Sequence, residues 1–448
     1  MNLKNPKTLF LVIGIFIVFL LVILLVILLT RDDNSQPAGP ETPNIPTTPR
    51  SESTTPTGQI ELAYWGLWEP ESVMEPIIKE YENMNPHVKI KYSQQSFFDY
   101  EATLHTRLQQ GAVGDSPAPD IVKINNSWLP KYQNLLTPLP SEIMAYSEYS
   151  ETFFPACLED FTGSDGNIYA IPIGIDGLLL YYNKVLLSQE GVSEPPRDWD
   201  EIIELANSLT KVDEAGKITQ AGLAMGTTNN ISHSADILSF LLLQNNIEVA
   251  KQQTDGILVD LTGNKAKSAL QFYKSFTSEY NIWSPDLPLD LDMFFRGELA
   301  MFFAPSWRVF DIIEAAPHIE FDVTPAPQLE ANDPVYYGMY WGEGVSLSSA
   351  HKEEAWKFLK FLSQKEKIQQ FHAAGSSIRA FGQPYPRTDL YSELSDAKYV
   401  WAIMEMAPHL KTWKMSQNPT VEEYINRGID ENDLETAGKN INEFLADL

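Results

Sequence analysis

An α/β fold is the class this sequence predicts, and three observations predict it. Short apolar strands alternate with amphipathic helices beyond residue 58, and the alternation recurs in the second half of the chain. The chain has 448 residues, and the 390 that follow the first 58 suffice for two domains, or for two lobes sharing connections.

The elements follow in order. A strand is expected at residues 60–65, then a helix with Val73, Ile77, Ile78 and Tyr81 on one face, then a strand at 88–92, which together make a βαβ opening. A helical stretch at 100–110, a Gly/Pro-rich turn through Pro119 and the apolar start Asp120-Ile121-Val122 continue the pattern. Asp165-Gly166 marks a tight turn, because glycine accepts positive φ without a Cβ clash, and strands are expected at 168–173 and 178–182. Pro195-Pro196 cannot lie inside a helix; Asp198 followed by Glu201 makes an acidic capping box, and the helix after it carries Ile202, Ala206 and Leu209 on one face. Asp213 to Lys217 reads as a polar turn. Farther on, the pattern predicts a helix at 265–279 and strands at 299–303 and 320–323. It also predicts one long amphipathic helix over 352–371, with Ala355, Phe358, Leu359, Leu362, Ile368 and Phe371 inward. No internal repeat is evident.

Residues 9–29 are an uninterrupted apolar run of 21, long enough to cross a bilayer core of roughly 30 Å. No small-residue cleavage site precedes Arg31, so the run reads as an uncleaved anchor. Lys4 and Lys7 lie before it, which places the amino terminus inside and the body outside the cell membrane. Residues 31–58, with six prolines and nine serines or threonines, form a spacer too polar to bury a core. The single cysteine, Cys157, rules out an intrachain disulfide and lies too far from the apolar run to serve as a lipid attachment site. A net charge of −28 argues against nucleic acid or an anionic lipid surface as a partner. Cys157 has no convincing histidine partner, and neither a H-E-x-x-H pair nor a phosphate loop is present. Asp286, Asp290 and Asp292 are interrupted by Pro288 and do not match a calcium loop, so a solvated loop is expected there. Neither a catalytic residue, a metal nor a cofactor is expected.

Three elements in succession, D-G-x-x-Y-A-x-P from Asp165, Y-Y-N-K from Tyr181 and P-P-x-x-W-D-E from Pro195, resemble the extracellular solute-binding proteins of sugar importers, family 1, the maltose-binding-protein-like group. F-x-x-G-x-x-A-M-x-F from Phe294, followed by Ser306-Trp307, and A-W-K-F-L-K-F-L from Ala355 extend the resemblance over nearly all of residues 60–448. The resemblance implies a two-lobed, periplasmic-binding-protein-like (type II) α/β fold with a ligand cleft at the hinge. Its lobes would be residues 59–175 with 325–375, and 176–324 with 376–448, and the chain would cross near 173–178, 322–327 and 375–386. It also implies a monomer that takes up a carbohydrate, oligosaccharide by preference, and delivers it to an ABC permease.

Sugar recognition needs flat apolar surfaces for ring C–H faces and side chains that pair hydroxyls. On the resemblance, and because open α/β sheets expose their crevice at strand carboxyl ends, the expected lining in the first lobe is Trp65, Trp68, Glu69, Asn125, Asn126 and Trp128, with Asp176 at the hinge. The second lobe would add Trp307, a loop holding Tyr340, Trp341 and Glu343, then Arg379 and Trp413. Each tryptophan has a packing alternative, and Arg379 reads equally as a hinge ion pair; Trp199 and Trp356 lie within helical patterns and read as core. A surface glycoside hydrolase, with a pair of carboxylates across the bond, and a sensor for another polar solute are the competing functions.

Overall fold

Pairing on both edges of the strand Ile60–Leu67 organises the first of two sheets. Val88–Gln95 runs parallel to it from Ile60 opposite Val88 to Leu67 opposite Gln95, and Ile121–Asn125 joins the other edge through Tyr64 opposite Ile121. Trp341–Ser346 then lies antiparallel to Ile121–Asn125, flanked by Leu136–Thr137 and Ala170–Pro172. Every residue of Ile121–Asn125 is buried, as a central strand covered on both faces requires. Helices Glu71–Met84 and Lys352–Leu362 pack together on this sheet, tied by the Tyr81 hydroxyl donating to Glu354 at 2.7 Å.

The computed structural model describes residues 58–111, 118–253, 256–330 and 332–448. The apolar run 9–29 and the spacer before residue 58 lie outside the described residues, among which no helix is long and apolar enough to cross a membrane. Residues 58–448 form one compact unit.

The second sheet has the order Phe321–Pro325, Leu179–Asn183, Leu299–Ala304, Ile218–Leu223, Lys211–Val212. Leu179–Asn183 is antiparallel to both of its neighbours, and Leu299–Ala304 is parallel to Ile218–Leu223. Asp198 caps the helix Trp199–Leu209 by accepting from the amides of Asp200 and Glu201, and Trp199, Ile202, Ala206 and Leu209 are buried against this sheet. Two sheets, each with its own helices, make the molecule a two-lobed α/β protein.

One expected helix is two. Residues 352–371 divide into Lys352–Leu362 and Lys365–Ser376, because the Ser363 hydroxyl folds back to the Lys360 carbonyl and Gln364 takes an extended backbone that starts the second helix. All six expected inward residues are buried, so the break leaves the apolar face in phase.

The chain first passes between lobes from Ala170–Pro172 to Leu179–Asn183, and Gly177 is required there: a Cβ would stand 2.8 Å from the Tyr337 carbonyl. It returns between Phe321–Pro325 and Trp341–Ser346, a stretch that includes Tyr336–Tyr337 paired with Leu410–Lys411. The third passage is later than residues 375–386. Arg387 still donates to the Ser363 carbonyl and Thr388 to that of Glu151 on the first-lobe side, and the first residues packed on Phe321–Pro325 are Tyr399 and the helix Trp401–Met406. The short helical turn Thr388–Leu394 holds the chain on the first lobe for longer than the sequence suggests.

Candidate functional site

Strand ends of the first lobe build an aromatic wall. Trp68 directly follows Ile60–Leu67 and takes a left-handed backbone, φ 58°, which is costly for a bulky residue and turns its ring out of the sheet, where it is 41% exposed. Its ring meets Trp341 edge to face at 5.1 Å and Phe97 at 5.6 Å. Trp341 also contacts Trp128 at 5.0 Å, Tyr100 at 6.2 Å and Phe97 at 6.3 Å. Phe97 and Phe98 are exposed, in the loop after Val88–Gln95. Edge-to-face contacts among these rings fix their faces before any ligand arrives.

Beside Trp68, Glu69 is buried. Its Oε1 accepts from Arg379 Nη2 at 2.6 Å and from Gln383 Nε2 at 3.1 Å, while Oε2 has no protein partner. Arg379 is therefore in the hinge ion pair that its sequence position allowed, and its guanidinium lies 5.3 Å from the Phe310 ring. Phe310 belongs to the second-lobe helix Arg308–Ala315 and packs at 4.7 Å on Phe381. Through Arg379, this contact links the helix that follows Trp307 to Glu69, the residue after Trp68.

Asp176 lies in the first passage between lobes. Its carboxylate accepts from the Ser306 amide at 3.2 Å, the Ser306 hydroxyl at 2.8 Å and the Gly177 amide at 2.8 Å. Burial raises its carboxyl to about 7, against the lowering pull of the Ser306 hydroxyl and the Gly177 and Ser306 amides. Asp176 thus anchors the hinge to the carboxyl end of Leu299–Ala304 and positions Trp307, which is 45% exposed with the Arg308 guanidinium 4.3 Å from its ring.

Next to Trp307 is a polar corner that the sequence reading missed. His233 lies edge-on to Trp307 at 6.3 Å, and its Nδ1 is 2.9 Å from Asp236 Oδ2. Asp236 stands in the first turn of Ser234–Gln244 and Glu422 in the first turn of Pro419–Glu431, two helices that pack together. The Tyr337 hydroxyl lies among Asp236, Glu422, Ser416 and Ser239. His233 Nε2, Asp236 Oδ1, Tyr337 Oη and Ser416 Oγ are buried without a protein partner. Asn418 capping Pro419–Glu431 was the legible signal, since Asn-Pro at a helix start places Glu422 in the first turn.

Several expected lining residues serve the scaffold instead. Trp65 is no strand end, because pairing carries its strand to Leu67; its ring lies 5.9 Å from the Arg107 guanidinium. The side-chain groups of Asn125 are taken by Ser127 and Gln417, and those of Asn126 by Asp160, Thr412, Tyr340 and Gln417. Trp128 is buried with its Nε1 donating to the Gln417 carbonyl, so it backs the aromatic wall without facing the cleft. The Tyr340 hydroxyl donates to Asp160 at 2.6 Å in the interior. Glu343 lies in the strand Trp341–Ser346, not in a loop, directly opposite Lys123, whose Nζ is 2.6 Å away; burial raises its carboxyl and Lys123 opposes the rise. Trp413 is buried, its Nε1 unpartnered. Of the residues expected in the lining, Trp68 and Trp307 are exposed and Glu69 keeps one carboxylate oxygen without a protein partner.

Other sites close off. Burial pushes the Cys157 thiol up, the opposite of what a nucleophile needs. Asp290 is buried, accepting from the Ser232 amide and hydroxyl, where a solvated loop was expected; among the described residues no cluster of metal-ligating side chains forms.

Comparison with known proteins agrees with this architecture. Residues 68–368 match the model of the bacterial extracellular solute-binding protein family. A binding protein of Brucella abortus is 24% identical over 375 residues, covering 79% of this chain and 85% of that one. The maltotriose-binding protein of Pyrococcus abyssi is 24% identical over 332 residues, covering 70% of this chain and 65% of that one. In fold, the chain matches an ABC transporter solute-binding protein of Thermotoga lettingae solved with alpha-D-tagatose, with a TM-score of 0.64 at 22% identity, covering 86% of this chain and all of that one. The chain belongs to the bacterial extracellular solute-binding protein family and is a binding protein, not an enzyme.

Proposed function

We propose that the protein captures a carbohydrate between its lobes and delivers it to an ABC importer, with the apolar run 9–29 holding it at the outer face of the cell membrane. The observation that carries the reading is an exposed indole beyond a strand of each sheet, Trp68 on one, backed by the partly buried Trp341, and Trp307 on the other. Indole faces stack on the C–H faces of pyranose rings, while Glu69 Oε2 and the groups beside Trp307 can pair hydroxyls. The sugar ligands of the Pyrococcus and Thermotoga relatives support the same class of cargo. A ligand that touches both lobes would favour the closed arrangement by its differential affinity for it, which is the signal a permease could read.

Calorimetric titration of the full chain, held in a detergent without a sugar headgroup, tests this against oligosaccharides, amino acids and polyamines. Saturable heat with an oligosaccharide, recovered intact afterwards, is the expected result. Heat only with amino acids or polyamines would contradict it. The anchor has its own test: the protein should fractionate with membranes and keep residues 1–30, and mature chains that begin after residue 30 would overturn it.

A further inference from the structure

The polar corner beside Trp307 has a charge pattern that a neutral sugar leaves unbalanced. Asp236 and Glu422 stand in the first turns of two packed helices, near enough for the charge of Asp236 to act on Glu422. Among the described residues the one basic side chain at ion-pair distance is the His233 imidazole, which reaches Asp236 alone; neither carboxylate has a lysine or arginine. Helix amino termini favour acidic residues, which accounts for one carboxylate at each. It does not account for placing the two against each other. Burial first, and then the charge of Asp236, hold the Glu422 carboxyl above the ordinary carboxylate range.

The surroundings point to a ligand as well. Asp236 is 6% exposed and its Oδ1 has no protein partner; the buried hydroxyl of Tyr337 lies near Asp236 and close to those of Ser416 and Ser239. No lysine or arginine is brought to the pair; burial and Asp236 instead hold Glu422 toward its protonated form, which leaves the corner without a fixed cation. His233 and Glu422 keep partial exposure, so the corner opens toward Trp307.

We propose that Asp236 and Glu422 form a subsite for a protonated amino group, and that the carbohydrate this protein takes is an amino sugar with a free amine. The inference rests on the carbohydrate reading above. An ammonium has three donors, enough to engage Asp236 Oδ1, Glu422 and one hydroxyl of Tyr337 or Ser416 at once, and its charge favours the ionised form of both carboxylates, whereas a sugar hydroxyl donates only once and carries no charge. The indole of Trp307 would carry the ring to which the amine is attached.

The test compares glucosamine oligomers with their N-acetylated forms and with malto-oligosaccharides of equal length, by calorimetry on the full chain at pH 6. The free-amine oligomer should bind at least ten-fold tighter than its acetylated form, and Asp236→Asn or Glu422→Gln, two near-isosteric changes, should bring that ratio close to one. If acetylated or neutral oligosaccharides bind as well as the free amine does, the subsite is overturned and the carbohydrate reading stands. If no oligosaccharide binds, both fall. The comparison among ligands uses the unaltered chain, so it decides the matter even where a variant does not fold.

Discussion

Trp341 in the first lobe is ringed by Trp68, Phe97, Tyr100 and Trp128 at 5.0 to 6.3 Å, whereas Trp307 in the second has His233 as its single aromatic neighbour among the described residues. Polar groups divide the other way. Behind the first wall Asn125, Asn126 and the Trp128 Nε1 are paired inside the protein, while the corner beside Trp307 keeps four buried polar atoms without protein partners. One side is a rigid aromatic surface made by packing, and the other is a set of polar atoms that a ligand would complete. Rigid rings lose little freedom on contact, so the first lobe is suited to gaining affinity, and unpaired polar groups reject ligands that cannot satisfy them, so the second is suited to selecting.

The contrast can be broken in several ways, beginning with the largest effect. Arg379→Ala should destabilise the fold by about 4 kcal/mol, because Glu69 stays buried with only Gln383 as a partner; denaturant unfolding reads it, and a loss below about 1 kcal/mol would mean that the pair is solvated. Trp341→Ala should cost about 3 kcal/mol of sugar affinity and also lower the melting temperature, since its ring both supports its neighbours and faces the cleft. Trp307→Ala should cost about 2 kcal/mol of affinity from lost stacking area, with stability changed by less than about 0.5 kcal/mol because the ring is exposed. Equal effects of the two tryptophans on melting would erase the distinction between a packed wall and a lone ring.

A smaller effect tests the hinge. Burial raises Asp176 to about 7 and Asp160 to about 6 in the folded protein, where an unfolded chain titrates them near 3.9. The folded state therefore holds more protons between those values, and the contribution to stability is full below about pH 4 and is lost as pH rises through 6 and 7. Unfolding free energy should fall from pH 5 to pH 8, and Asp176→Asn should flatten the fall; an unchanged slope in that variant would remove Asp176 as its source.

Much of the scaffold could be read along the chain, because periodicity reports burial. The inward faces of Glu71–Met84 and Trp199–Leu209, and the Asp198 cap, follow from local spacing alone. Periodicity does not see a two-residue break that keeps its phase, so Lys352–Leu362 and Lys365–Ser376 merged into one helix. Trp68 was legible as an indole just beyond a strand and Trp307 by the motif it follows, whereas Trp341, expected in a second-lobe loop, begins a strand of the first sheet. Glu343 and Tyr340 were misjudged because their partners, Lys123 and Asp160, are far off in sequence and come into register only in the sheet and the hinge. His233, Asp236 and Glu422 escaped for the same reason: each is unremarkable at its own helix start, and the two carboxylates lie 186 positions apart in the sequence.

A double-mutant cycle between Trp341 and Trp307, read as oligosaccharide affinity by calorimetry on the full chain, tests the central claim most directly, that one ligand spans both lobes. Each single alanine variant should weaken the same ligand, and the double variant should weaken it further. An affinity untouched by Trp307→Ala while Trp341→Ala abolishes binding would confine the ligand to the first lobe and contradict the account.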